Sequence, residues 1–170
     1  MEERTGKVTF KGNPITLVGH PVEAGDDAPD VTLWKGLNQP VKLSSAAGKV
    51  LILSVTPSVD TGVCNKQVHA FNERAASLGG VQIWNVSVDL PFALSRYCGA
   101  EGIAGVQALS DYKDRELGAS FGVYMKELGL LARSVFVIDA GGTVRYVEIV
   151  PEMTTEPDYD AAIEAARKLL

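Results

Sequence analysis

Hydrophobic residues recur along this chain with two different periods, and the order of those periods predicts an α/β fold. Val50–Val55 is an almost continuous apolar run that Pro57 stops, which is typical of a central strand covered on both faces. From Cys64 onwards the apolar positions are spaced by four and three residues as far as Leu78, and a pair of glycines follows. This spacing predicts a helix that carries Cys64 on its inward face, in the first turn.

A second strand and a second helix follow at once. Residues 81–88 have the pattern of another core strand, and Pro91 is expected to begin a helix that carries Cys98. Gly99 comes directly after this cysteine, so we expect the helix to be brief and able to unfold locally.

The last part of the chain predicts a strand pair and a closing helix. Residues 134–139 and 143–150 alternate or are apolar, and a glycine turn joins them, which indicates an antiparallel pair. Thr155 and Pro157 are expected to open an amphipathic helix.

Two hairpins are predicted before the core pattern begins. The first pairs residues 8–11 with 14–18, and the second pairs 31–34 with 40–43 after a loop rich in Gly, Pro and Asp. Together the elements predict one domain over residues 1–170. Its architecture is a thioredoxin-like fold: a central mixed β-sheet flanked by helices, with an N-terminal β-hairpin.

Composition narrows the class of partner. Of the 170 residues, 46% are hydrophobic and 22% are charged, as in an ordinary soluble domain with a full core. The formal net charge of -5 and the sequence pI near 5.0 argue against nucleic acid, since neutralising phosphates needs a basic face. Small molecules and proteins remain as partners.

The N-terminal residues and the number of cysteines indicate the cellular compartment. Residues 1–7 lack the basic flank and apolar run of a secretory signal, and no run of about 18 apolar residues occurs, so we expect a cytoplasmic protein without a membrane partner. In a reducing cytosol the two cysteines are expected to be catalytic, redox-sensing or inert rather than a permanent disulfide. Neither His20 nor His69 lies at metal-ligand spacing from them.

Cys64 has the position of a reactive thiol. The junction between a strand and a helix leaves backbone N–H groups unpaired and places the positive end of the helix dipole beside the sulfur, which favours the thiolate. The alternative is structural, because an isolated cysteine on an apolar stripe is most often a small buried hydrophobe.

Two segments resemble the thiol peroxidase branch of the peroxiredoxins. The segment Ser54–Cys64 is similar to the loop of the peroxide-reacting cysteine, with Pro57, Thr61 and Cys64 at the family's spacing. The segment that starts at Asp89 and reads DLPFALSRYCGAEGI is similar to the branch's second cysteine motif, and Arg133 matches the family's later arginine. Gly62 departs from the branch, which more often has proline there; this should loosen the first helical turn without removing a reacting group.

The resemblance implies a homodimeric enzyme that reduces hydrogen peroxide and organic hydroperoxides, that thioredoxin recycles, and that needs no metal or organic cofactor. Cys64 would attack the peroxide, while Thr61 and Arg133 would donate hydrogen bonds to its oxygens and Pro57 would shape the pocket. Cys98 would then form a disulfide with the oxidised Cys64, after residues 91–105 and the first turn of the Cys64 helix unwind.

Other interpretations of the same residues remain open. Cys98 can be core packing, Arg133 a structural ion-pair residue and Thr61 an ordinary helix N-terminal residue. A second class of function is a thioredoxin-like redox sensor or binding module, switched by a Cys64–Cys98 disulfide. A protein dithiol exchanger is a weaker hypothesis, because the chain has no Cys-x-x-Cys pair.

Overall fold

Two β-sheets form the framework of the computed structural model, which describes all residues 1–170. The strands are β1 (Glu3–Phe10), β2 (Asn13–Val18), β3 (Thr32–Gly36), β4 (Gln39–Lys42), β5 (Val50–Val55), β6 (Val81–Ser87), β7 (Gln107–Ser110), β8 (Tyr124–Met125), β9 (Leu130–Leu131), β10 (Ser134–Ile138) and β11 (Val144–Ile149). The helices are α1 (Gly62–Ala75), α2 (Pro91–Glu101), α3 (Glu116–Ser120) and α4 (Tyr159–Arg167), with a 3-10 turn at Leu43–Ala46.

The larger sheet is mixed, as predicted. Its seven strands follow the order β11-β10-β5-β6-β7-β3-β4, in which β5, β6 and β7 run parallel and the other neighbours pair antiparallel. All six residues of β5 are buried, because this strand lies inside the sheet with both faces covered. The N-terminal hairpin is confirmed, and it belongs to a separate four-stranded sheet of order β1-β2-β8-β9.

Two hydrophobic cores lie on opposite faces of the large sheet. One core joins β5, β6 and β10 to the small sheet, helix α3 and the 3-10 turn. The other core joins the opposite face of the same strands to helices α1, α2 and α4. The sheet is therefore flanked by helices on both faces, and the two predicted cysteine-bearing helices share one side of it.

Three predicted helix boundaries are wrong. Helix α1 ends at Ala75, so Leu78 is buried in the turn that follows rather than in the helix. Helix α2 continues through Gly99 to Glu101 and ends at Gly102, whose φ of 67° closes it in the left-handed conformation.

The third correction concerns the closing helix. Neither Thr155 nor Pro157 caps it; α4 begins after Asp158, whose side chain accepts a hydrogen bond from the backbone N–H of Ala161 at 3.0 Å. None of the helices of the molecule is long and apolar enough to cross a membrane.

Gly19 connects the N-terminal hairpin to α3 and supplies a test of this packing. Its φ is 119°, and a Cβ added there would overlap the carbonyl oxygen of Ala119. That oxygen already accepts the backbone N–H of His20 at 2.9 Å, so it is not free to move away. We expect Gly19→Ala to lower the free energy of unfolding by about 3 kcal/mol, measured by urea denaturation.

Gly25→Ala is the matched control for this prediction. Gly25 also has a positive φ, of 103°, but a Cβ there would meet no atom within 4 Å. Gly25→Ala should lower the free energy of unfolding by about 1 kcal/mol, from backbone strain alone. Equal losses at the two glycines would show that the contact with Ala119 does not matter.

Candidate active site

Cys64 lies in the first turn of α1, immediately after the loop that leaves β5. Thr61 is the N-cap of this helix: its backbone is extended and its Oγ1 accepts the backbone N–H of Cys64 at 3.3 Å. Cys64 is 0% exposed. Burial alone also fits the interpretation of this cysteine as ordinary core packing, so the groups around its sulfur decide between the two interpretations.

The sulfur of Cys64 contacts a buried guanidinium. Arg133 directly precedes β10, is 2% exposed, and its Nη2 donates to Cys64 Sγ at 3.4 Å. Nε and Nη2 also donate to the backbone carbonyl of Met153, at 3.0 and 2.9 Å, while Nη1 donates to Oε1 of Gln67 at 3.1 Å. These contacts hold the guanidinium plane in one orientation, with an edge against the sulfur.

The charge of Arg133 is not balanced by a carboxylate. No salt bridge of the molecule includes Arg133. Among the groups that accept its hydrogen bonds, only the thiol of Cys64 can become negatively charged. The guanidinium is therefore an unneutralised positive charge held directly against the sulfur.

A chain of buried polar side chains supports Gln67, which in turn holds Arg133. Gln67 Nε2 donates to Ser54 Oγ at 2.8 Å, and Ser54 Oγ donates to Asn85 Oδ1 at 2.9 Å. Asn85 Nδ2 donates to Thr56 Oγ1 at 3.0 Å. Ser54 and Asn85 are partners in the parallel register of β5 and β6, so the central sheet itself anchors this network.

The other predicted site residues surround Cys64 less closely. Pro57 is buried in the loop after β5, whereas Thr61 is exposed. The Thr61 hydroxyl donates to the carbonyl of Ser58 at 3.3 Å, and together with its bond to Cys64 this makes it a structural cap. Both of its hydrogen bonds are long, so the hydroxyl can exchange them for a ligand.

Cys98 lies on α2, in contact with the same core that α1 covers, and is half-buried. Both cysteines are free thiols, and they are held on separate helices. Burial raises the pKa of the Cys98 thiol, so this sulfur is protonated at neutral pH while α2 stays in place.

Three charged or titratable residues that are near the cysteines in sequence lie outside the site. His69 Nε2 lies 3.1 Å from Glu101 Oε2 rather than at the sulfur. Lys66 and Arg96 are exposed and form no ion pair. The structure has no group of three or more His, Cys, Asp or Glu side chains that could hold a metal ion.

The sequence analysis missed Gln67 and the Met153 carbonyl. Gln67 could have been found, because it falls three residues after Cys64 on the apolar face of α1, where a fully buried polar side chain needs partners. The Met153 carbonyl leaves no trace in the sequence, since every residue has such a group.

The sulfur is enclosed in this structure. Because Cys64 has no exposed surface, neighbouring groups must shift before any molecule can reach its sulfur. Thr61 and Gly62 are exposed and Val63 is half-buried, so the start of α1 is the part of the chain near Cys64 that solvent reaches most easily.

Comparisons with known proteins agree on one family. The family model for Redoxin matches residues 23–163. The chain is 53% identical over 164 residues to a thiol peroxidase of Bacillus subtilis, covering 96% of this chain and 98% of that protein. It is 52% identical over 163 residues to a thiol peroxidase of Halalkalibacterium halodurans, covering 96% of this chain and 98% of that protein. A solved peroxiredoxin-like protein from Aquifex aeolicus superimposes with a TM-score of 0.91 at 38% identity, over 98% of this chain and 99% of that one.

Replacing Gln67 tests whether the buried network holds the guanidinium. Gln67→Leu leaves Arg133 Nη1 without its acceptor and Ser54 Oγ without the donor Nε2, and unpaired buried polar groups are costly. We expect the free energy of unfolding to fall by about 3 kcal/mol in urea denaturation. Gln107→Leu is the control: this half-buried glutamine makes no side-chain hydrogen bond, so its loss should stay within about 0.5 kcal/mol.

Proposed function

The chain belongs to the Redoxin family and, within it, to the thiol peroxidases, and from this premise we propose that Cys64 is its peroxidatic cysteine and Cys98 its resolving cysteine. The protein is a thiol-dependent peroxidase of the peroxiredoxin type, with the thioredoxin-like fold of its structural neighbours. The observation that carries the residue assignment is the contact between the guanidinium of Arg133 and Cys64 Sγ at 3.4 Å.

The first step is attack by the thiolate of Cys64 on one peroxide oxygen. An S–O bond forms, the O–O bond breaks, and the other oxygen leaves as water or an alcohol once it takes a proton, so that Cys64 becomes a sulfenic acid. Negative charge moves from sulfur to the departing oxygen during this step. Arg133 stabilises that charge, because its donors are fixed by Gln67 and Met153 and its own charge does not titrate.

Thr61 and Pro57 complete the proposed peroxide site. When a peroxide enters, the Thr61 hydroxyl exchanges its long bonds for this ligand, accepting from one oxygen and donating to the other. Pro57 excludes water from the sulfur because it is buried and has no N–H to offer.

The second step joins the two cysteines. The Cys98 thiolate attacks the sulfur of the sulfenic acid, an S–S bond forms, and the hydroxyl leaves as water. The burial that raises the pKa of Cys98 is removed when α2 opens, so opening both brings this sulfur to Cys64 and makes it a better nucleophile.

The remaining roles follow from family membership. We propose hydrogen peroxide and organic hydroperoxides as substrates, thioredoxin as the dithiol that reduces the disulfide, a homodimer as the assembly, and the cytoplasm as the location. Residues 1–170 would act as one domain. The redox-sensor hypothesis is not favoured by the relatives, which are thiol peroxidases.

Cysteine variants separate the two proposed roles. Cys64→Ser should abolish peroxide turnover, because Cys64 is the one thiol among the groups that accept hydrogen bonds from Arg133. Cys98→Ser should consume about one equivalent of peroxide per chain and then stop with thioredoxin as reductant. The measurement is peroxide consumption coupled to thioredoxin and thioredoxin reductase, with intact-protein mass to identify the oxidised species. Full turnover by Cys64→Ser would contradict the assignment.

A further inference from the structure

The segment of residues 89–105, which we name the resolving segment, is tied to the loop that precedes α1. The carboxylate of Asp89 accepts the Ser58 hydroxyl at 2.7 Å and the backbone N–H of Val59 at 2.9 Å. Both bonds are charge-assisted, which makes them stronger than bonds between neutral groups. The start of the resolving segment therefore holds the chain on the N-terminal side of Cys64.

The same segment is tied to the chain on the other side of Cys64. Tyr97, which precedes Cys98, is buried and its hydroxyl donates to Asn65 Oδ1 at 2.6 Å. Burial, followed by the nearby charges of Glu101 and the two cysteines, raises the pKa of Tyr97 to about 12, so the hydroxyl remains a donor at neutral pH. This bond joins the immediate neighbours of the two reacting cysteines.

Asp89 is itself held firmly. Its carboxylate also accepts the Ser87 hydroxyl at 2.7 Å, and its backbone carbonyl accepts the Ser110 hydroxyl at 2.5 Å. Ser87 and Ser110 end the parallel strands β6 and β7 and are paired in register. The carboxylate is thus fixed at the carboxyl ends of β6 and β7, and the loop before α1 is hydrogen-bonded to it.

Further contacts continue from α1 to the end of the resolving segment. His69 pairs with Glu101 at 3.1 Å, and Asn72 Oδ1 accepts the backbone N–H of Gly105 at 2.7 Å. Together with Asn65, these α1 residues lie at successive turns of one helical face. The contacts from the second and third turns can persist while the first turn unwinds, so they keep the resolving segment close to Cys64.

We propose that Asp89 and Tyr97 are positioning residues that clamp the Cys64 turn shut from both sides, so that this turn and the resolving segment open together. This inference rests on the proposed function of the two cysteines. Neither Asp89 nor Tyr97 touches the reacting atoms; both act on the unwinding that Cys98 needs in order to reach Cys64 from its separate helix.

The clamp sets the outcome of a competition. In the closed form, the sulfenate of Cys64 stays beside Arg133, where it can attack a second hydroperoxide. A second S–O bond then forms, the O–O bond breaks, and water or an alcohol leaves. The product is a sulfinic acid. In the open form Cys98 reacts instead, giving the disulfide and water. A looser clamp therefore favours the disulfide over the sulfinic acid.

The test measures how much hydrogen peroxide is needed to convert half of the protein to the Cys64 sulfinic acid during turnover with dithiothreitol, read by intact-protein mass. We expect Asp89→Asn and Tyr97→Phe each to need about two- to tenfold more peroxide than the unchanged protein, because each weakens a bond of the closed form. Gly62→Pro should act in the opposite sense, by about two- to fivefold, since Gly62 is the first helical residue and has open space around it.

Matched controls separate the clamp from general loss of stability. Tyr124→Phe removes a hydroxyl that makes no hydrogen bond, Asp114→Asn removes an exposed carboxylate, and Gly19→Ala destabilises a distant contact; none should shift the peroxide requirement. Asn65→Ala combined with Tyr97→Phe should shift it no further than Tyr97→Phe alone, because the two share one bond.

The outcomes are distinguishable. If the unchanged protein forms neither the Cys64–Cys98 disulfide nor the sulfinic acid, the proposed function is wrong. If it forms both, but Asp89→Asn and Tyr97→Phe partition as the unchanged protein does or shift in parallel with Gly19→Ala, the clamp is wrong.

Discussion

The site depends on one buried positive charge. Arg133 directly precedes the interior strand β10 and has no carboxylate in contact; its N–H groups are directed to a backbone carbonyl, to Gln67 and to the sulfur of Cys64. Because a buried guanidinium must be fully hydrogen-bonded and balanced, the surrounding chain is built to satisfy it. The network from Gln67 into β5 and β6 meets the first requirement, and Cys64, the proposed nucleophile, is the one contacting group that can carry the balancing charge.

This charge explains why the reactive sulfur is enclosed. A thiolate beside a desolvated guanidinium is stabilised more strongly than one in water, and donors that are already fixed need no reorganisation when charge moves to a peroxide oxygen. The same enclosure excludes Cys98, which stays half-buried and protonated on α2. In the proposed mechanism peroxide reduction uses the closed form and disulfide formation the open form, so the contacts that bind the two helices together affect both steps.

Much of this arrangement could be predicted from the sequence, and the exceptions have physical causes. The continuous apolar run of β5 and the stripe of α1 are strong periodic signals, and they place Cys64 at a strand-to-helix junction. Gly99 predicts a brief α2, but the cost of a glycine within a helix, about 1 kcal/mol, is smaller than what the packing of α2 supplies, so the helix continues to Glu101. The two-residue strands β8 and β9 are too short to show a period. The carbonyl and amide groups that orient Arg133 come from distant parts of the chain, which periodicity cannot bring together.

The most direct test of this account is the rate at which hydrogen peroxide oxidises Cys64 in a single turnover, compared between Arg133→Lys and the unchanged protein in a Cys98→Ser background. Lysine keeps the charge but loses the planar fork that contacts the sulfur, Gln67 and Met153 together. The account predicts a second-order rate constant lower by about 100-fold or more, while Arg145→Lys at an exposed ion pair leaves it unchanged. A rate for a folded Arg133→Lys protein equal to that of the unchanged protein would contradict it.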